Sequence, residues 1–154
     1  MLLGNGLSLT GGLSFNQAEL DSDFKTIARD PAIVWAEEGR RLAHVPEWKV
    51  TLGARYDWSF GNGQLGYAQA NWSYTDERWS LLARQSESEP RLMESYSLLD
   101  VRGGADFQNG WSAELFVTNL TNERPEIFAN SGYYDPRVTT SRPRTAGVRL
   151  KVRG

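Results

Sequence analysis

The chain has 154 residues, a net charge near −2 and 40% apolar residues, with 6 Trp, 6 Tyr, 6 Phe and 15 Gly. That length is enough for one domain with its own core, and the small charge argues against a nucleic-acid partner. Without cysteine there are no disulfides and no thiolate chemistry, which speaks against a small secreted disulfide scaffold.

No stretch approaches the roughly 20 apolar residues of a transmembrane helix, and residues 1–10 lack the basic and apolar regions of a signal peptide. Alternating strands are nearly invisible to hydropathy, so they remain as a route into a membrane. Read at period two, the chain separates into six segments. Residues 6–17 set Leu7, Leu9, Gly11, Leu13 and Phe15 against Ser8, Thr10, Gly12, Ser14 and Asn16. A polar connection over about 18–46 follows and holds His44, the single histidine. One imidazole with scattered carboxylates makes a poor metal site, so His44 is expected on the loop surface, with no metal and no cofactor.

Residues 47–60 oppose Trp48, Val50, Leu52, Ala54, Tyr56 and Trp58 to Lys49, Thr51, Gly53, Arg55, Asp57 and Ser59. Residues 63–75 oppose Ala68, Ala70, Trp72 and Tyr74 to Gln69, Asn71, Ser73 and Thr75, with Leu65 and Tyr67 as apolar intruders on the polar side. After a second long connection, about 76–95, residues 96–107 set Leu99, Val101, Ala105 and Phe107 against Asp100, Arg102 and Asp106. Residues 110–120 set Trp111, Ala113, Leu115 and Val117 against Ser112, Glu114 and Thr118, with Phe116 as the exception. A third connection, about 121–143, leads to residues 144–153, where Ala146, Val148, Leu150 and Val152 alternate with Arg149 and Lys151.

The other two connections are short: Gly61-Asn-Gly63 and Gln108-Asn-Gly110. Asn-Gly supplies the positive φ angles of a tight hairpin. The long connections are expected to be functional or mobile rather than packed. Short turns alternating with long loops is the organisation of a transmembrane β-barrel. A β-sandwich also alternates, but charges in mid-strand are tolerable against a wet lumen and expensive in a sandwich core. Trp48, Trp58, Phe60, Trp72, Tyr74, Phe107 and Trp111 gather near strand ends, where the interfacial girdles of a barrel lie. The fold expected is all-β, an antiparallel transmembrane barrel segment of about six strands.

Four pieces in order resemble the TonB-dependent outer-membrane receptors, at the C-terminal end of their barrel. They are Val45-Pro-Glu-Trp48, Tyr96-Ser-Leu-Leu-Asp-Val-Arg102, Val117-Thr-Asn-Leu-Thr-Asn-Glu123 and Arg142-Pro-Arg-Thr-Ala-Gly-Val-Arg-Leu150. The resemblance implies a larger, 22-stranded barrel filled by an N-terminal plug. It also implies import of iron–siderophore complexes, cobalamin or carbohydrates, driven through the TonB complex. Plug and TonB box have no counterpart in residues 1–154, so the missing strands and plug of a parent receptor become expected partners, beside outer-membrane lipid and lipopolysaccharide. An open six-stranded sheet would leave edges that lipid does not tolerate, so the chain is expected to need those strands. Such receptors usually end on an aromatic residue, and Gly154 stands in that place.

Within this frame Leu7, Leu9, Leu13, Val50, Leu52, Trp72, Leu99, Val101, Leu115, Val117, Val148, Leu150 and Val152 are expected to face lipid. Lys49, Arg55, Asp57, Asp100, Arg102, Glu114, Arg149 and Lys151 are expected to face the lumen or plug, along with Ser8, Thr10 and Asn16. The last connection carries Arg124, Tyr133, Tyr134 and Arg137, candidates for an anionic or aromatic ligand such as a ferric siderophore. Asp100, Asp106 and Glu114 lack a nucleophile or base for catalysis, and no enzyme is expected. Asn71 and Asn119 open glycosylation sequons but lie in or beside strands, where a match is taken as chance. The rival reading is a small glycan-binding β-module or a non-transport outer-membrane β-protein, built on the same Trp and Tyr residues.

Overall fold

Alternation of β-branched, aromatic and small polar residues leaves each strand one apolar and one polar side, so its backbone groups must pair laterally with other strands. The computed structural model describes residues 2–3, 6–25, 34–61, 63–82, 90–107, 110–131 and 136–152. The chain forms β1 (Leu2–Leu3), β2 (Leu7–Phe15), β3 (Phe24–Lys25), β4 (Val34–Ala36), β5 (Trp48–Phe60), β6 (Gln64–Thr75) and β7 (Arg78–Trp79). It continues with β8 (Leu92–Met93), β9 (Tyr96–Asp106), β10 (Trp111–Thr118), β11 (Glu126–Ser131), β12 (Pro136–Thr140) and β13 (Thr145–Val152). No helix among the described residues is long and apolar enough to cross a membrane.

One seven-stranded sheet runs β1-β2-β5-β6-β9-β10-β13, and all its pairings are antiparallel. Its long strands follow chain order, an open up-and-down meander. β1, two residues long, is too short to show a period and adds a seventh strand to the six expected. The sheet does not close on itself: β13 has β10 as its one strand neighbour among the described residues. A strand of about 11 residues, rising ~3.3 Å per residue at ~45° tilt, crosses about 25 Å, the height of a barrel's apolar band.

Register carries the two-sidedness across the sheet. Leu13, Val50 and Tyr74 share one row, as do Leu52, Trp72 and Leu99, and as do Val101, Val117 and Ala146. On the opposite side lie Arg55, Gln69, Arg102 and Phe116, and the row Asp57, Tyr67, Gly104, Glu114 and Arg149. The residues assigned to lipid thus share one face, and those assigned to the lumen share the other. The apolar face stays open, with Leu13, Leu115, Val148 and Leu150 among its most exposed side chains. Aromatic pairs mark both of its ends, Phe15–Trp48 and Trp72–Tyr74 near the long connections and Tyr56–Trp58 near the turns. Phe107 lies past the end of β9, where its N–H donates to the Trp111 carbonyl at 2.8 Å.

Two of the three intruders on the polar face have physical reasons. Tyr67 lies against Gly104, where an added Cβ would stand 2.9 Å from its ring, and Phe116 covers Gly147, where the gap would be 2.4 Å. Each ring fills the space of an absent side chain on the neighbouring strand, a pairing that supports glycines in twisted sheets. Leu65, at the turn end opposite Ser59 and Asp106, stays exposed.

At the turn edge Gly61, Gly63 and Gly110 adopt φ of 56°, 92° and 81°; Asn62, Gln108 and Asn109 lie outside the described residues. The three long connections leave the opposite edge, and here the sequence expectation is corrected. Their described residues are ordered by pairing, each connection contributing one small hairpin: β3–β4, β7–β8 and β11–β12. The most buried apolar residues, Met93, Ala36 and Ala129, lie in these hairpins and not in the sheet. A single open sheet with no second layer against either face has no apolar core of its own, so its large apolar side chains stay exposed.

Candidate functional site

The polar face carries a chain of contacts. Arg55 forks onto Asp57 at 2.7–3.0 Å and lies 4.0 Å over the Tyr67 ring. The Tyr67 hydroxyl donates to Glu114, which also accepts from Arg149 Nη1 at 2.7 Å. Arg149 in turn lies 5.7 Å over Phe116. Asn71, Asp100, Arg102, Glu114 and Arg149 surround a hollow of about 210 Å³. Asp100 and Glu114 therefore serve different partners, since Asp100 Oδ1 accepts the Asn119 backbone N–H at 2.8 Å.

Asn119 joins the sheet to the last connection. It is 5% exposed and has φ 51°. Its Nδ2 donates to the carbonyls of Glu123 at 2.7 Å and Arg142 at 2.9 Å, while Oδ1 accepts the Glu123 N–H at 2.9 Å. Asn122, at φ 57°, accepts the Arg144 N–H at 3.0 Å, and Arg144 Nη1 donates to the Leu120 carbonyl at 3.3 Å. The Asn-Leu-Thr-Asn-Glu and Arg-Pro-Arg-Thr motifs thus form one clasp, which brings the start of β13 beside the end of β10. The sequon asparagine is committed to this clasp; Asn71, the other, sits in β6 and accepts from Gln69 at 3.2 Å.

Beyond the clasp the long connections meet. Arg78, 6% exposed, donates through Nη2 to the carbonyls of Glu126 and Ile127, each at 3.1 Å, and stands 5.5 Å over the Tyr96 ring. Arg91 pairs with Glu126, and Ser80 exchanges hydrogen bonds with Arg91. His44 is exposed as expected, but not idle: its N–H donates to the Trp79 carbonyl at 2.7 Å and its ring stacks on Phe128 at 5.2 Å. Among the described residues no group of three or more His, Cys, Asp or Glu side chains could hold a metal.

These contacts enclose a polar cavity of about 350 Å³ lined by Arg91, Leu92, Glu94, Ser95, Tyr96, Glu123, Arg124, Pro125 and Glu126. Tyr96 shares the polar-face row of Lys49 and Thr75, so the cavity opens at the loop end of that face. Of the residues singled out as ligand contacts, Arg124 lies in its wall. Arg137 is exposed on β12 outside it, and Tyr133 and Tyr134 fall outside the described residues. Arg91, Ser95 and Tyr96 were missed because they sit at the far end of a different connection. Only the β7–β8 and β11–β12 hairpins bring them beside Arg124.

Two-faced antiparallel strands, aromatic rows at both ends, short turns at one edge and long connections at the other define the wall of an outer-membrane type β-barrel. The chain matches the TonB dependent receptor-like, beta-barrel family over residues 3–120, most of its length, and it belongs to that family. The family is one of bacterial outer-membrane receptors and transporters. No curated protein and no solved structure matches the chain. The matched region ends just past β10, while β13 is attached to it by eight register pairs and by the Asn119 clasp.

Proposed function

We propose that the protein serves the active uptake of a scarce nutrient, a ferric siderophore, across the outer membrane, with energy delivered through the TonB complex. The cavity at the loop end of the polar face supports this reading. There Arg91, Arg124, Ser95 and Tyr96 offer cationic donors, a hydroxyl and a ring to an oxygen-rich chelate. Arg137, Tyr133 and Tyr134 belong to the same connection as Arg124 and are proposed with it as ligand contacts on the ground of their chemistry. In this reading the polar face lines the lumen, the apolar face meets lipid and lipopolysaccharide, and the turn edge and C-terminus are periplasmic.

Uptake of radioactive iron, supplied as a ferric trihydroxamate to cells carrying the full-length protein, tests the assignment. Loss of a charge-assisted hydrogen bond costs about 1.5–3 kcal/mol, so Arg124→Ala is expected to raise the apparent KM at least about tenfold at unchanged receptor level. Unchanged uptake by Arg124→Ala and Arg137→Ala would remove the ligand role. A carbohydrate cargo is the second reading, favoured by Glu94 and Glu123 beside Tyr96, a set suited to hydroxyl groups. Competition by oligosaccharide but not by chelate would select it.

A further inference from the structure

We infer that Arg78, which does not line the cavity, is the residue that positions its walls. This rests on the cavity being the ligand site. The guanidinium touches two walls that come from different parts of the chain. On one side it holds the Glu126 and Ile127 carbonyls of β11, and on the other it lies against the Tyr96 ring at the start of β9. Its cross-strand partner is Met93, fully buried, and the same hairpin delivers Arg91 to the third wall through the Ser80 hydrogen bonds. Trp79, the next residue, accepts the His44 N–H, so the first long connection is tied to the same short strand.

Stability alone does not account for an arginine here. Nη1 is buried without a hydrogen-bond partner among the described residues. A buried donor left unmade is costly, and an apolar side chain of similar length would fill the space without that cost. What an apolar side chain cannot do is bridge two consecutive carbonyls of β11 while facing a ring on β9. Departures from simple packing rules are expected where geometry serves a site.

The test measures the cavity directly. Residues 1–154 have no cysteine, so Glu94→Cys and Glu123→Cys, with any cysteine elsewhere in the full-length protein replaced by serine, place spin labels on two of its walls without background. In the full-length protein in detergent, pulsed electron–electron distances are compared for the parent, Arg78→Lys and Arg78→Met. The expected result is a narrow distribution in the parent, a broader one with Lys, whose ammonium has no plane to lie over the Tyr96 ring while it donates to both carbonyls, and the broadest with Met. Heat-modifiable migration of the barrel is expected to be unchanged. Parent-like distributions in both variants would overturn the proposal. So would loss of the assembled barrel in both, since Arg78 would then be a folding residue. If only Arg78→Met fails to fold, Arg78→Lys decides by the same criterion. Ferric trihydroxamate uptake by the unlabelled parent reports separately on the ligand reading, because a parent that takes up none refutes the proposed cargo and leaves the distance test intact.

Discussion

Replacing Asn119 should loosen the joint between the sheet and its last strand. Asn119→Ala removes three side-chain hydrogen bonds, two to the Glu123 and Arg142 carbonyls and one from the Glu123 N–H. At about 0.5–1.5 kcal/mol net for each bond, and with Glu123 and Arg142 exposed enough to recruit water, that loss is about 2–3 kcal/mol. Alanine must also adopt the left-handed φ of 51°, which costs about 1 kcal/mol more than for asparagine. The expected total is about 3–4 kcal/mol. Asn119→Gly loses the bonds without the backbone strain, so it should be milder by about 1 kcal/mol. Asn119→Asp keeps the acceptor for Glu123 N–H but turns a carboxylate toward two carbonyl oxygens, and should be no better than alanine. The assay is urea titration of the full-length protein in detergent, read as loss of heat-modifiable migration, with amide exchange at Glu123 and Thr145 as the local report. An alanine variant within about 1 kcal/mol of the parent, or an aspartate variant equal to it, would refute the clasp.

Gly147→Ala puts a Cβ 2.4 Å from the Phe116 ring, and a forced shift in a packed contact costs about 1–3 kcal/mol. Phe116→Leu in the same protein should restore part of that loss, and a double-mutant cycle without coupling would contradict the ring-over-glycine pairing. Leu115→Lys, at the middle of β10 on the apolar face, should cost about 2–4 kcal/mol in bilayers, whereas Asn71→Lys on the polar face should be nearly neutral. Equal costs in lipid vesicles would mean that the two faces have been assigned wrongly.

The strands, their faces and their order were legible in the sequence because each of these is a local property. A period of two needs only neighbouring residues, and with tight Asn-Gly turns the next strand lies alongside the last. The same logic explains what the pattern misjudged. Tyr67 and Phe116 break alternation because they answer glycines on the adjacent strands, Gly104 and Gly147, and no window along one strand contains both partners. The motifs around Asn119 and Arg142 were legible as motifs, yet their joint purpose was not, since the two halves meet across a sequence separation of 23.

What the sequence by itself determined was a two-faced antiparallel meander and its family. Alternating side chains leave such strands one apolar and one polar side, whatever their neighbours. What only the tertiary structure decided was the far edge. There the described parts of three polar connections pair as hairpins, and Arg78, beside the buried Met93 in one, reaches β11 in another. A cavity forms beside Arg124 from residues more than two dozen positions away. Contacts between loops depend on where the strands deliver their ends in space, and composition carries no record of that distance.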